Sequence, residues 1–222
     1  MTARGDKTMR NPNHSTNYQA GLLRLGALLV AGALLAACAG PGAAPEAQNT
    51  TIYFVRHGEP NFKDSERPLL PEGHARAQRW VAYFKDVPVT HVYATHTDRT
   101  RDTVLPLATA RGMKVVQFPP VGSELGGKIV VNRTSGSVAT KPMVTALRAL
   151  PPGSTAVVAG NSGNLYPIMA GLGVKSSTAC TAERTDCLPC VTRKCFDGKR
   201  FDQVWKVVIE RDGKVTLSRT SY

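Results

Sequence analysis

The stretch Thr51-Ile52-Tyr53-Phe54-Val55-Arg56-His57-Gly58 decides the fold of this chain. Its first five residues all have high β-propensity, and Gly58 closes the run, which is typical of a short buried strand. A charged pair, Arg56-His57, follows the strand directly. Because ligands of open α/β sheets bind beyond the carboxyl ends of the strands, this stretch predicts both a central strand and a site at its end.

Strands and helices alternate along the rest of the chain. Apolar residues at helical spacing predict helices over four ranges: 71–85, 100–111, 143–150 and 165–172. Short β-rich runs predict two further strands, at 91–94 and 156–159, and the last segment predicts a hairpin around Asp212-Gly213. This order is typical of the α/β class, here a three-layer αβα sandwich with a mainly parallel sheet and a C-terminal β-hairpin.

A cluster of polar residues follows each of the three predicted strands. The clusters are 56–59 (Arg-His-Gly-Glu), 95–103 (Thr-His-Thr-Asp-Arg-Thr-Arg-Asp-Thr) and 160–164 (Gly-Asn-Ser-Gly-Asn). Strand ends of a parallel sheet share one edge, so we expect the clusters to form one pocket. Arginine offers a planar fork of donors that matches phosphate oxygens, and a neutral imidazole nitrogen can attack phosphorus. The clusters therefore predict phosphoryl chemistry.

These blocks resemble the histidine phosphatase superfamily, the phosphoglycerate-mutase-like proteins. Arg56-His57-Gly58 matches the signature tripeptide of that family. Residues 69–78 are similar to its "L-T-x-x-G-x-x-Q-A" helix entry, and residues 93–103 look like its "S-x-x-x-R-A/T-x-x-T" block. The segment 201–205, Phe-Asp-Gln-Val-Trp, resembles the "Y-D-x-L" ending of envelope lipoprotein members. The resemblance covers most of 51–217.

The resemblance implies a role for individual residues. His57 would be the nucleophile, and Arg56 and Arg99 would bind the phosphoryl oxygens. Glu124 is the candidate general acid. Further contacts with the substrate are expected from four residues: Gly58, Asn61, His96 and Ser162. The expected ligand is a phosphorylated small molecule, and neither a cofactor nor a metal is expected.

The chain departs from the family after the third predicted strand. A second histidine is expected there, but Gly160 is followed by Asn161. An amide can donate a hydrogen bond without carrying positive charge, and loss of one donor to the transition state typically costs about 10²–10³ in rate. His96 is the one nearby candidate for this role. Three hypotheses stay open: a membrane-anchored phosphomonoesterase weakened by Asn161, a pseudophosphatase that binds a phosphorylated ligand, and a structural lipoprotein.

The first 37 residues read as a lipoprotein signal peptide. A basic segment precedes an apolar run, Leu25 to Leu35, that is too short for the roughly 20 residues of a membrane span. An uncleaved anchor helix reaching back to Leu22 is the alternative. The motif Leu-Ala-Ala-Cys at 35–38 resembles the lipobox of bacterial lipoproteins, which implies cleavage before Cys38 and lipid on its sulfur. Residues 38–50 then form a flexible tether, and 51–222 the phosphatase-like domain.

The net charge and the predicted cellular location limit the possible binding partners. The whole chain of 222 residues has a formal net charge of +12. A basic surface suits anionic lipid or phosphorylated ligands. The sequence contains no basic run interleaved with aromatic residues, so it does not predict nucleic-acid binding. The lipobox implies a bacterial cell-envelope protein, lipid-anchored in the outer membrane and facing the periplasm.

A cysteine-rich insert, 176–200, precedes the hairpin. Its cysteines are Cys180, Cys187, Cys190 and Cys195. Four cysteines at this spacing could form two disulfides, hold zinc or, through the Cys-x-x-Cys pair, serve redox chemistry. Because disulfides persist outside the cytoplasm, the predicted export favours two disulfides.

Overall fold

The computed structural model describes residues 48–118, 124–125, 128–129, 140–177, 179–180, 184, 186–189 and 197–222. The predicted signal peptide, Cys38 and the predicted tether up to residue 47 lie outside these residues. Within the described part of the chain, no helix is long and apolar enough to cross a membrane.

The described elements follow the predicted order. The strands are β1 (Thr50–Arg56), β2 (His91–Ala94), β3 (Val115–Gln117), β4 (Glu124–Leu125), β5 (Lys128–Ile129), β6 (Thr155–Gly160), β7 (Gln203–Ile209) and β8 (Val215–Ser221). The helices are α1 (Pro71–Tyr83), α2 (Asp98–Ala110), α3 (Thr140–Arg148) and α4 (Ser162–Gly171). β1 begins one residue earlier than predicted, at Thr50, and the short strands β3, β4 and β5 were not predicted.

Six strands form the main sheet in the order β3-β2-β6-β1-β7-β8. The neighbours β3, β2, β6 and β1 run parallel, whereas β7 is antiparallel to β1 and forms a hairpin with β8. This arrangement confirms the predicted mainly parallel sheet and its C-terminal hairpin. β4 and β5 pair separately as a two-stranded sheet.

Two apolar cores, one on each face of the sheet, create the three layers. Successive side chains of a strand point to opposite faces. Phe54 packs in a core with residues of α3 and α4, such as Leu147 and Ile168. Its neighbour Val55 packs in the other core, with residues of α1 and α2, such as Trp80. The αβα sandwich is thus confirmed.

The carboxyl ends of β1, β6 and β2 lie side by side. Arg56 pairs with Gly160 in the β1–β6 ladder, and Ala94 pairs with Ala159 in the β2–β6 ladder. The backbone N–H of Thr95 donates to Ala159 O at 3.0 Å and extends that ladder by one residue. This register brings the three polar clusters of the sequence to one edge of the sheet.

Candidate active site

His57 is held as a buried, neutral imidazole. Its side chain is 5% exposed, and Nδ1 lies 2.7 Å from Gly58 O. Since a carbonyl oxygen can only accept, Nδ1 must carry the proton, which leaves the lone pair on Nε2. Burial lowers the pKa of His57 to about 3; the hydrogen bond to Gly58 opposes this shift, and the charges of Arg56 and Arg99 add to it. A neutral imidazole with an Nε2 lone pair is the form that a nucleophile requires.

Gly58 fixes the loop that carries His57. Its N–H donates to Thr103 Oγ1 at 2.9 Å, and the Thr103 hydroxyl donates to Arg99 O at 2.7 Å. A Cβ atom on Gly58 would lie 2.8 Å from Gly73 O, closer than real Cβ atoms approach a backbone oxygen. Glycine is therefore required here because the loop packs directly on the first turn of α1.

Arg56 is positioned by the segment that precedes β7. Its Nη1 donates to Gly198 O at 2.7 Å and to Arg200 O at 3.2 Å, with Asp197 O at 3.5 Å. The ring of Phe201 lies 4.0 Å from Arg56 Cζ and 5.9 Å, centroid to centroid, from the His57 ring. Gly198, Arg200 and Phe201 were not among the predicted site residues; only Phe201 had a signal in the sequence, the resemblance of 201–205 to a family ending.

Arg99 and Asn161 meet at the next strand ends. Arg99 donates from Nε and Nη2 to Asn161 Oδ1, at 3.1 and 2.8 Å. The Asn161 amide nitrogen lies 3.4 Å from the hydroxyls of Thr95 and Thr97. Asn161 is buried and precedes α4 without capping it through its side chain. Its amide therefore orients the guanidinium of Arg99 in this structure.

Arg67 is another residue of the site that was not predicted from the sequence. Burial and the charge of Arg67 together lower the pKa of Arg99. Arg67 lies on the exposed loop before α1, with a positive φ of 51° and its Cζ 5.9 Å from the Phe62 ring. Two arginines this close, with no carboxylate forming an ion pair with either in the described part of the chain, favour a bound anion. Loop residues show no periodicity, so Arg67 could not be predicted from a pattern in the sequence.

His96 stands beside Arg99 with both ring nitrogens buried. Neither nitrogen has a hydrogen-bond partner among the described residues. Burial, and next the charge of Arg99, lower the pKa of His96. The structure thus places this residue at the predicted site as a neutral imidazole.

The other predicted residues lie around this centre, and the side chain of one of them lies outside the described residues. Asn61 Oδ1 accepts from the Lys63 N–H at 3.0 Å and holds a turn of the loop. Ser162 is the first residue of α4. The backbone of Glu124 pairs with Ile129, but its side chain lies outside the described residues.

Glu59 does not offer an alternative acid. Burial raises its pKa, but the hydrogen bonds from Arg76, a backbone hydrogen bond and the charges of Arg76 and Arg79 together outweigh this effect and leave the pKa lowered. Arg76 Nε lies 3.0 Å from both carboxylate oxygens, and Arg76 also donates to the Tyr222 hydroxyl at 3.1 Å. Glu59 is therefore an ionised, paired carboxylate at the rim of the site.

The insert contains one described disulfide. Cys180 and Cys187 are bonded, with their Cα atoms 5.9 Å apart. Cys190 and Cys195 lie outside the described residues, so their pairing stays a prediction. Within the described ranges, no three metal-binding side chains come together in a way that could hold an ion.

Comparisons with known proteins agree with this geometry. A probable phosphoglycerate mutase of Shigella dysenteriae serotype 1 is 31% identical over 72 residues, which are 29% of this chain and 34% of that protein. The match thus spans about a third of the length of this relative.

Solved structures share the fold. A putative α-ribazole-5′-P phosphatase from Escherichia coli has a TM-score of 0.53 at 14% identity and covers 78% of this chain and 97% of its own. The phosphoserine phosphatase of Entamoeba histolytica, solved with 3-phosphoglyceric acid, has a TM-score of 0.51 at 17% identity and covers 78% and 98%.

The family assignment comes from the first half of the domain. Residues 52–120, which carry His57, Arg99 and both strand-end clusters around them, match the family model of the histidine phosphatase superfamily (branch 1). The order of strands and helices and the similar solved structures extend the agreement to the whole sheet. Over residues 52–120 the chain matches the histidine phosphatase superfamily (branch 1), and its sheet has the fold of the similar solved structures.

Proposed function

We propose that this protein is a phosphomonoesterase that works through a phosphohistidine on His57. The observation that carries the proposal is the state of His57, which is neutral, buried and protonated on Nδ1, so that the lone pair of Nε2 is available. Arg56 and Arg99 flank it, as the shift of its pKa indicates. Such donors stabilise the charge of a transferring phosphoryl group.

The reaction proceeds in two displacements. In the first, His57 Nε2 attacks phosphorus, the bond from phosphorus to the ester oxygen breaks, and the leaving oxygen takes up a proton. In the second, water attacks the phosphohistidine, the P–N bond breaks, and inorganic phosphate leaves while Nε2 regains its lone pair. The hydrogen bond from Nδ1 to Gly58 O keeps Nε2 as the attacking atom throughout.

The substrate class follows from charge and from the similar structures. Arg67, whose charge lowers the pKa of Arg99, adds a third arginine to the site, which suits a small phosphorylated molecule with a dianionic group. The similar structures include one solved with 3-phosphoglyceric acid and one, of the protein histidine phosphatase SixA, solved with tungstate. We therefore expect a soluble phosphate monoester to be the substrate.

A second candidate function has its own observation. Asn161 occupies the position of the expected second histidine, and its amide already contacts Arg99, Thr95 and Thr97. A site without that imidazole could bind a phosphorylated ligand and leave it unchanged. This is the pseudophosphatase alternative.

Phosphoenzyme formation distinguishes the two functions. Incubation with a phosphoryl donor, followed by intact-mass measurement, should add one acid-labile phosphoryl group to the wild type and none to His57→Asn. The matched control is His91→Asn, which removes a histidine at the start of β2, at the end of the strand opposite to the candidate site. It should label like the wild type. A wild type that binds tungstate but is never phosphorylated would establish the binding function instead.

We further propose that the protein is attached to the envelope through lipid on Cys38, with the domain on a short tether. The support is the apolar run that ends in Leu-Ala-Ala-Cys at residues 35–38. A fatty-acid probe should label the wild type in the membrane fraction and should not label Cys38→Ser. Equal labelling of both proteins would exclude this attachment.

A further inference from the structure

We propose that His96 supplies the second imidazole of the site, one strand away from the position where the family carries it. The inference rests on the proposed phosphatase function. In this role an N–H of His96 donates to an oxygen of the transferring phosphoryl group, and no bond to His96 forms or breaks. Asn161 meanwhile holds Arg99.

The register of the sheet places His96 level with Asn161. β2 and β6 are parallel neighbours, and Ala94 pairs with Ala159. The bond from the Thr95 N–H to Ala159 O continues the ladder. His96 and Asn161 each lie two residues beyond the pair Ala94–Ala159, just past the carboxyl ends of the two adjacent strands. Since adjacent strands lie about 4.8 Å apart, the two residues leave the sheet at neighbouring points of the same edge.

The hydrogen bonding of the two residues differs in the way this role requires. The amide of Asn161 is occupied by Arg99 and two threonine hydroxyls. Both nitrogens of His96 are buried without a partner among the described residues. A neutral imidazole has one donor and one acceptor, and a buried group left unpaired costs about 1–3 kcal/mol. A bound phosphoryl oxygen would satisfy the donor of His96.

The surroundings of His96 favour an anionic ligand. Arg99 is near enough to lower the pKa of His96, after the larger effect of burial. The neighbouring backbone carbonyls of Thr95 and Thr97 accept hydrogen bonds from the side chain of Gln117, which fixes the loop on either side of His96. A dianion at Arg99 would reverse the electrostatic effect on His96 and raise its pKa.

The first test exchanges the two residues. His96→Asn should slow phosphoenzyme formation about 10²–10³-fold. The double variant His96→Asn/Asn161→His restores an imidazole at the neighbouring strand end but loses the amide that orients Arg99, so its rate should rise about tenfold over His96→Asn and stay below that of the wild type. His91→Asn, on the same strand, should keep the wild-type rate. An undiminished rate in His96→Asn would overturn the proposal.

A second test does not depend on turnover or on the folding of a variant. The ring ¹⁵N resonances of His96 in the wild type, titrated with and without inorganic phosphate, should show a pKa raised by phosphate. A pKa that phosphate leaves unchanged contradicts the role of His96. Absence of phosphohistidine in the wild type, combined with a raised His96 pKa, would reject the phosphatase function while keeping His96 as a ligand-binding residue.

Discussion

His57 alone is expected to lower the free energy of unfolding by about 1.4 kcal/mol for each pH unit below about 6. This slope holds over the pH range in which His57 is protonated in the unfolded chain but not in the folded protein. The pKa of His57 is 6.5 in the unfolded chain and about 3 in the folded protein. Between these values the unfolded state binds one more proton, so acid shifts the equilibrium toward unfolding. Urea unfolding measured at several pH values between neutral and moderately acid gives the slope.

His57→Asn isolates this contribution. Asparagine cannot titrate, and its amide can still donate to Gly58 O in place of Nδ1. The stability of the variant should therefore depend less steeply on pH by one proton. Other groups, including His96, contribute equally to the wild type and to His57→Asn and cancel in the comparison. Parallel curves for these two proteins would show that His57 titrates normally and is not buried as described.

The fold could be predicted from the sequence because its determinants are local. The β-rich run that ends at Val55 and the helical spacing around Trp80 and Leu107 each specify one element and its buried face. β3 was missed because three residues, Val115–Gln117, give no period to detect. Its place at the sheet edge depends on pairing with β2, which is a property of the tertiary structure.

The site could be predicted only where it follows a strand. His57 and Asn161 come directly after β1 and β6, and Arg99 lies in the first turn of α2, the helix that follows β2, so the parallel sheet brings them to one edge. Arg67 and Phe201 come from irregular segments, and no rule of spacing relates them to the strands. The general acid remains a prediction at Glu124, because its side chain lies outside the described residues.

The structure changes the meaning of Asn161. The sequence suggests a weakened donor to the phosphoryl group, but the carbonyl of this amide accepts two hydrogen bonds from Arg99. The residue therefore orients a cation without neutralising it. A histidine side chain has no oxygen, so at this position it could not accept the hydrogen bonds from both Nε and Nη2 of Arg99. The amide is thus matched to Arg99, and its neutrality leaves the positive charge for the ligand.

Asn161→Asp tests this account because it changes charge with almost no change in shape. One carboxylate oxygen would accept from Arg99, and the other would face the hydroxyls of Thr95 and Thr97, which now donate to Thr100 Oγ1 and would have to turn toward it. Since the ion pair with Arg99 and the cost of burying a carboxylate oppose each other, we expect a free energy of unfolding within about 2 kcal/mol of the wild type. The new ion pair would cancel the charge that attracts the phosphoryl group.

The expected loss is in catalysis: kcat/KM for an aryl phosphate should fall at least about 10²-fold in Asn161→Asp. Two unit charges about 5 Å apart interact by about 3 kcal/mol at an effective dielectric constant of about 20, which corresponds to two decades in rate or affinity. Thermal melting and steady-state kinetics on the same samples separate stability from activity.

The matched control is Asn49→Asp, which makes the same charge change just before β1, at the amino end of the strand that His57 follows. It should keep wild-type kcat/KM. A loss shared equally by both variants would point to overall charge, and full activity in Asn161→Asp would show that Arg99 does not bind the phosphoryl group.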